Sequence, residues 1–394
     1  MLIETVLRIG FIVRLSLQLH LDMALHNPQA ELFPGPQSED GKQSSRDANQ
    51  QSDDRSILPF VTTDEIIRRH AETGATSRVS GVIQDFSGDM VSIRRGGTGK
   101  EEVLRLREIE QIRFRKSAEY EEGLRFIAAG DWKRALSSLT TAAELEPRPW
   151  VVREIMASQI RCLTAIGRRA DTIQIVEEIL ESDPHTRHVA LLPLVWDERL
   201  PESERTMVPL SDLESSSLVR KLTAASVWLH DDKHAAAAQA ELHSLRLCGR
   251  KRIQELAEIQ LWRVRVIHPD RLRTADTEIW EGRVVDFERP IRGPAAIVLG
   301  RAFLHQHQYD KAAFAFLWMP VLQVEDRPLA AASLKYAAIA LQTAGRPEES
   351  SVITSELLNR FPETSSAQQV AAAENSKVPQ GNSQEGRSNE LAVP

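Results

Sequence analysis

Three histidines, His230, His234 and His243, are the residues of this sequence that most resemble a set of metal ligands. Asp231 and Asp232 follow the first of them and add carboxylate oxygens to the cluster. The residues between the first two histidines are typical of a turn joining two helices, so their imidazoles need not share a helix face. No glutamate completes an H-E-x-x-H arrangement either. We therefore predict solvated turn and helix-surface histidines, and no metal site.

The other groups with reactive potential fit no catalytic motif. The glycine-rich turn Gly96–Lys100 invites comparison with a phosphate-binding loop. However, Arg94 and Glu101 stand where a Walker A motif needs its first glycine and its final serine or threonine. No G-x-S-x-G sequence occurs, and the two cysteines, Cys162 and Cys248, lie within or at the end of apolar helical stretches, which is typical of structural thiols. We therefore predict no catalytic residue, no cofactor and no enzymatic activity.

Length and composition are those of an ordinary soluble protein. The chain has 394 residues, enough for two or three domains, and its 42% apolar and 27% charged residues fit neither a membrane bundle nor a wholly disordered chain. With 49 basic and 56 acidic side chains the formal net charge is −7. This charge predicts no overall attraction to the phosphates of a nucleic acid.

The first 25 residues are apolar at many positions. Arg14 interrupts them and leaves no run of about 20 apolar residues that could span a bilayer, so we predict no membrane span. As an export signal the segment is mediocre, because Glu4 offsets Arg8 and no small-x-small cleavage site precedes Asn27. Alternatively, Met23 is the true start. A cytoplasmic and an exported, periplasmic location both stay open.

Composition divides the chain into four parts. Residues 1–57 combine the apolar segment with a linker rich in Gln, Ser, Asp, Pro and Gly, and residues 364–394 resemble that linker. Neither stretch can offset its ordering entropy by burial, so both are predicted to be disordered. Between them, residues 58–116 show the period of strands and residues 117–363 show the period of helices.

Short runs rich in β-branched residues predict a sheet within residues 58–116. The runs are residues 78–86, 90–95, 103–107 and 109–114, and residues 64–70 supply either one more strand or a short helix. About five strands in so few residues predict a small, closed or nearly closed barrel, because such a sheet must cover both its face and its edges.

Residues 116–149 carry the pattern of two antiparallel helices in close contact. Three small residues allow the close approach and two aromatic ones fill the gap between the helices. Gly130 supplies the left-handed residue that ends the first helix, Asp131 can cap the second, and Pro147 stops it. The packing residues of this hairpin are Gly123, Phe126, Trp132, Ala135 and Ala142.

These residues and spacings resemble the tetratricopeptide repeat, although Glu119 stands in place of the early tryptophan of that family. In a second match His307 replaces the turn glycine and Met319 the last alanine. The matching residues of the second and third units are Gly300, Phe303, Tyr309 and Ala312, and then Ala338, Gly345 and Pro362. The resemblance implies a mostly helical fold, a TPR-like α-solenoid of about five helical hairpins. The small all-β barrel-like module predicted before it from the strand pattern is similar to SH3-like or Sm-like domains.

Between the units that match the repeat well lie two units that match it poorly and two segments that do not follow its pattern. The poorly matching units hold Ala157, Gly167 and Pro184, and helices around residues 213–229 and 235–247. Residues 185–211 contain three prolines and predict an ordered loop, whereas residues 269–294 predict a long connection with little helix. Residues 251–266 are expected to form a helix that bridges the two halves, which either stack continuously or face each other as two short solenoids.

In tetratricopeptide proteins the first helix of each pair lines a concave groove, and the resemblance places partner-binding side chains there. They are Tyr120, Leu124, Ile127, Ile297, Arg301, Leu304, Lys335 and Ile339. This mixture of apolar side chains with isolated positive charge suits an amphipathic helix or an extended peptide of some acidic character. The alternative is that these residues bury against neighbouring repeats or against the loop at residues 185–211.

The expected function is therefore a non-enzymatic protein–protein interaction scaffold, with the strand module as an auxiliary docking element and a protein or peptide as partner. The alternative is a regulatory protein that contacts RNA or DNA through the strand module. Residues 58–116 hold 11 basic and 9 acidic side chains, interleaved along the strands. Aromatic side chains that could stack on bases are nearly absent, so nucleic acid is the less expected partner.

Overall fold

The computed structural model describes residues 63–70, 74–196, 208–322 and 326–377. In these ranges the chain is mostly helical, with a five-stranded antiparallel sheet at its N-terminal side, and the described residues from Thr63 onward belong to one compact unit. None of the described helices is long and apolar enough to cross a membrane. The predicted export segment and the linker before residue 57 lie outside the described residues.

All five predicted strands form, and the segment that the sequence left as strand or short helix is a strand. The bounds are β1 Asp64–Arg69, β2 Thr76–Ser87, β3 Met90–Arg95, β4 Glu101–Arg105 and β5 Ile109–Arg113. The order across the sheet is β4-β3-β2-β1-β5, and every pair is antiparallel.

The sheet is coiled, as its connections require. β4 and β5 lie at opposite edges, yet only the 3-10 turn Leu106–Glu108 joins them. Because three residues cannot cross a flat sheet of five strands, the two edges must curve towards each other. This strand order and curvature are compatible with the predicted SH3-like module. Its inner face buries Ile66, Val79, Ile83, Phe86, Val91, Ile93 and Leu104.

Fourteen helices follow in the described ranges. They are α1 Ala118–Ala128, α2 Trp132–Leu145, α3 Pro149–Ala165, α4 Thr172–Ser182, α5 Leu218–Trp228, α6 Ala235–Leu245, α7 Lys251–Ile267, α8 Thr274–Asp286, α9 Arg289–His305, α10 Tyr309–Phe316, α11 Trp318–Leu322, α12 Arg327–Thr343, α13 Pro347–Arg360 and α14 Ser365–Lys377. From α1 to α7 each helix packs on the next one along the chain, and α9 and α12 contact helices on both sides.

The first hairpin shows how local sequence sets the helix ends. The Ser117 hydroxyl accepts a hydrogen bond from the backbone N–H of Tyr120 and so caps α1. Gly130 adopts a φ of +74° between α1 and α2, a conformation that costs glycine little. The Asp131 carboxylate then accepts from the backbone N–H of Arg134 at 3.2 Å and caps α2. Both turn assignments made from the sequence are confirmed.

The predicted small residues do lie where α1 and α2 touch. Ala135 and Ala142 are completely buried, and a Cβ added to Gly123 would come within 2.7 Å of the Leu139 side chain. Gly300 plays the same part between α9 and α10, because an added Cβ would meet the Phe316 ring at 2.8 Å. Close helix approach therefore depends on the missing side-chain volume.

This packing makes Ala135→Leu a test of the register. We expect the substitution to lower the free energy of unfolding by about 1–3 kcal/mol, because a buried helix contact has no room for three more carbon atoms. Glu122→Leu, at an exposed position of α1, should change it by less than about 0.5 kcal/mol. Urea unfolding followed by tryptophan fluorescence measures both. Equal losses in the two variants would contradict the register.

Two expectations about irregular segments are wrong. Residues 269–294, predicted to hold little helix, contain α8 and the start of α9, which continues through Pro294. That proline removes only the bond to the first turn of α9, and the surrounding residues are buried. Residues 365–377, predicted to be disordered, form α14, which packs on α12 and α13. The Thr364 hydroxyl accepts from the backbone N–H of Ala367 at its start.

Candidate functional site

The strand module and the first helices share one hydrophobic core. Phe114, just after β5, packs edge-on against Trp150 of α3, with ring centroids 4.8 Å apart. The same cluster contains the inner face of the sheet together with Tyr120, Ala135, Leu139, Ala142, Trp150, Val151, Ile155 and Cys162. The module is thus docked on the helices of its own chain.

Arg153 of α3 reinforces this junction with hydrogen bonds to two other elements. Its side chain is 4% exposed, and its Nη2 donates to Asp85 Oδ1 at 2.5 Å and to the Phe86 carbonyl at 2.9 Å. Its Nη1 donates to the Ser182 hydroxyl at 2.9 Å. One guanidinium therefore joins β2, α3 and the end of α4. A planar group with five donors is suited to such a bridge.

Asp183, directly after α4, holds the β2–β3 turn from the other side. Its Oδ1 accepts from the Ser87 hydroxyl at 2.7 Å and from the His185 backbone N–H at 2.9 Å. Its Oδ2 accepts from the Gly88 backbone N–H at 3.0 Å. Asp183 is 3% exposed, and its hydrogen bond from the Gly88 N–H is buried, whereas those from Ser87 and His185 are partly buried.

A second charged cluster joins α3 to the segment that follows α4. Glu154 Oε2 accepts from Arg187 Nη2 at 2.5 Å, and Glu154 Oε1 lies 3.0 Å from His188 Nε2. Burial by itself would raise the pKa of Glu154, but the hydrogen bonds and charges of His188 and Arg187 outweigh it and lower the pKa to about 2. Burial, with the charge of Glu154 nearby, raises the pKa of Tyr120 to about 12.

The lowered pKa of Glu154 predicts how the free energy of unfolding changes with pH. The folded value lies below the ordinary value of 4.5, so the ionised carboxylate stabilises the fold above pH 4.5 and this contribution is lost as pH falls towards 2. We expect Glu154→Gln to lower the free energy of unfolding by about 1–3 kcal/mol at neutral pH, and by less near pH 3. Urea unfolding of both proteins at the two pH values measures the gap, and a gap independent of pH would contradict this role.

The predicted groove residues divide into buried and accessible ones. Tyr120, Ile297 and Arg301 are 6%, 2% and 4% exposed, so the expectation that they face a partner is wrong. The Arg187–Leu191 segment packs on α3, α4 and α9, the last of which carries Ile297 and Arg301. Leu124 and Ile127 are half-buried against the shared core. For these residues the alternative of burial within the chain is the one that the structure adopts.

The accessible residues of the predicted groove lie on α12, next to Arg301 of α9 and Gln369 of α14. The guanidinium of Arg301 lies 4.5 Å from the centre of the Tyr336 ring, which stacks on Phe316. Lys335 Nζ lies 5.3 Å from the same ring and donates to Gln369 Oε1 at 3.0 Å. On the next turn of α12, Ile339 is 49% exposed. We call the surface of Lys335, Tyr336, Ile339 and Gln369 the C-terminal groove.

The remaining predicted packing residues take up the positions expected of helix contacts and helix ends. Phe303, Ala312 and Ala338 are buried, Phe126, Trp132 and Tyr309 are partly buried, and Pro147 and Pro362 are exposed beyond their helices. Gly345 has a φ of +76° in the turn after α12. His307 has a φ of +59° and is the one residue other than glycine with positive φ in the described ranges. Leu304 is half-buried.

The histidines that opened the metal hypothesis have separate surroundings. The His230 ring lies 3.2 Å from Arg263 Nη2, His234 Nδ1 lies 2.8 Å from Asp231 Oδ1, and His243 is exposed. Within the described part of the chain, no three His, Cys, Asp or Glu side chains are placed to hold a metal ion together. Cys162 is buried, and burial raises its pKa to about 11, so the thiol is neutral at physiological pH.

The accessible surface of the strand module carries paired charges. Arg78 lies 3.2 Å from Glu65, Arg95 lies 2.6 Å from Glu102, and Arg68 lies 2.8 Å from Glu108. Ion pairs of this kind reduce the positive field available to a phosphate backbone. Nucleic-acid contact through this module stays the alternative prediction.

The residues that fix the sheet on the helices, Arg153 and Asp183, did not emerge from sequence reasoning. Arg153 stands in an apolar helical stretch, and an arginine within such a stretch is the one signal that marks a buried polar bridge.

Comparison of the chain with protein-family models and with curated proteins gives no match. Its function must therefore be inferred from its own residues.

Proposed function

We propose that this chain is a non-enzymatic protein-binding scaffold, a TPR-like solenoid that holds an acidic, partly apolar peptide segment of a partner protein in the C-terminal groove. The observation that carries the proposal is the combination of Lys335 and Ile339 on one side of α12. The Lys335 ammonium is bonded to the amide of Gln369 and not to a carboxylate in the described residues, and half of Ile339 is open to solvent.

Local charge favours an acidic peptide over other occupants. The guanidinium of Arg301 and the ammonium of Lys335 lie 4.5 and 5.3 Å from the centre of the Tyr336 ring, so two cations lie against one aromatic side chain at this surface. A peptide carboxylate would approach Lys335 while an aliphatic side chain covers Ile339, which are the polar and apolar parts of recognition in a helical groove. The strand module would serve this scaffold by stiffening its first hairpins, to which it is docked through the shared core.

A direct binding measurement tests the proposal. We expect a fluorescein-labelled octapeptide of alternating leucine and glutamate to bind the full chain saturably in fluorescence anisotropy. Lys335→Glu should weaken binding at least tenfold, since it replaces an attraction by a repulsion. Ile339→Asp should do the same by removing the apolar contact. Arg301 is unsuitable as a test position because its burial would confuse loss of binding with loss of fold.

The matched control is Lys133→Glu, the same charge change at an exposed position of α2. It should leave the affinity unchanged. Binding that survives Lys335→Glu, or that is lost equally in Lys133→Glu, would refute the groove as the binding surface. Salt-sensitive binding of a labelled oligonucleotide, with no binding of the acidic peptide, would support the nucleic-acid alternative.

A further inference from the structure

A second surface lies where α3 and α4 meet the turn before α3. It differs from the C-terminal groove in having an exposed acidic side chain instead of a basic one. It is a depression of about 290 Å³ whose apolar lining comes from Pro147, Pro149, Val152 and Met156. Glu178 and Ser182 of α4 form its polar side. The volume is at the lower end of small-molecule pockets and matches one or two side chains better than a cofactor. We call this surface the α3–α4 depression.

Some charged side chains around the depression have partners of opposite charge among the described residues and one does not. The cation in its wall, Arg153, is occupied by Asp85, the Phe86 carbonyl and Ser182. The Glu146 carboxylate is held by Arg148 at 2.6 Å. Glu178, by contrast, is exposed and accepts only from the neutral amide of Gln174, at 3.1 Å, as far as the described residues go. One carboxylate therefore faces the depression without an ion pair to any described cation.

The apolar lining is open enough to be covered by another chain. Pro147 and Pro149 are exposed, Val152 and Met156 are half-buried, and Leu145, just before the turn, is 62% exposed. Two proline rings give the site a fixed wall, and a methionine adapts to the side chain that it meets. An aliphatic side chain next to a lysine or arginine would satisfy both the apolar lining and the carboxylate.

We propose that the α3–α4 depression docks an extended, basic segment of a partner protein, inserting an aliphatic side chain between Pro149 and Met156 and pairing an adjacent arginine or lysine with Glu178. The Ser182 hydroxyl, which already accepts from Arg153, lies at the edge of the depression and is available to donate to a backbone carbonyl of the bound segment. This surface is independent of the C-terminal groove and has the opposite charge preference.

The test uses the full chain and a fluorescein-labelled octapeptide of alternating leucine and arginine. We expect saturable binding in fluorescence anisotropy, weakened at least tenfold by Glu178→Arg and several-fold by Glu178→Gln. Met156→Gln should also weaken it several-fold because it places an amide in the apolar contact. Far-UV circular dichroism and urea unfolding of each variant separate lost binding from lost fold.

The matched control is Glu348→Arg, the same charge reversal at an exposed position of α13. It should bind as the unmodified chain does. Three results would overturn the proposal: no saturable binding, equal weakening by Glu178→Arg and Glu348→Arg, or competition by the alternating leucine and glutamate peptide as strong as by the basic one. Lys335→Glu leaves this binding intact, so failure here and failure at the C-terminal groove are distinguishable.

Discussion

Gly300→Leu is expected to lower the free energy of unfolding by about 3 kcal/mol or more. An added Cβ alone would lie 2.8 to 3.0 Å from three atoms of the Phe316 ring, closer than carbon atoms pack. Phe316 is completely buried and stacks on Tyr336 with ring centroids 5.5 Å apart, so it cannot yield without displacing α12. Urea unfolding, followed by circular dichroism at the helix band, measures the loss.

Gly282→Leu is the matched control, because Gly282 also lies inside a helix, α8, but has nothing within 4 Å of an added Cβ. Leucine has a higher helix propensity than glycine, so this variant should be as stable as the unmodified chain or more stable by about 0.5–1 kcal/mol. Similar losses of free energy of unfolding in the two variants would mean that the close contact between Gly300 and the Phe316 ring is not the cause.

Asp183→Ala is the second large expected effect, with a loss of about 2–4 kcal/mol. The substitution removes the acceptor of three hydrogen bonds and leaves the buried N–H of Gly88 and the partly buried hydroxyl of Ser87 without it. The damage should be local as well as global. Amide hydrogen exchange at Gly88 should accelerate more than exchange in α12, because the β2–β3 turn is released from the helices first.

Asp89→Ala provides the control in the same turn. The Asp89 side chain is exposed, and only its backbone carbonyl is used, as the acceptor for the Leu106 N–H. Its removal should change the free energy of unfolding by less than about 0.5 kcal/mol. If Asp89→Ala were as damaging as Asp183→Ala, the loss would reflect the turn itself and not its attachment to the helices.

Features with local causes were predictable from this sequence. The strands follow from β-branched runs between glycine turns, and the first hairpin follows from Gly130, Asp131 and the small residues at Gly123 and Ala135. Each of these depends on backbone conformation or on packing between two helices adjacent in sequence, which nearby residue types encode. His307 is instructive, since the sequence marks it as standing in for a turn glycine and the structure gives it the glycine conformation.

Features that depend on distant segments were not predictable in the same way. The resemblance to the tetratricopeptide repeat assigned Ile297 and Arg301 to a partner surface, but residues about a hundred positions earlier, Arg187–Leu191, pack on the same helix. The helical content around Pro294 and in α14 was missed for a related reason, because burial against other helices outweighs local composition. Spacing places a side chain on a helix face, and only the tertiary fold decides what covers it.

The burial of residues Thr186–Trp196 has a consequence for how this chain can be divided. Ordinary repeat arrays touch only their immediate neighbours, so they tolerate deletion of whole units and can lose order from one end. Here Arg252 of α7 donates to the Thr186 carbonyl, Gln260 donates to the Val195 carbonyl at 3.2 Å, and α9 packs on Arg187–Leu191. One segment of the chain therefore contacts both early and late helices, and we expect that neither half would fold stably without the other.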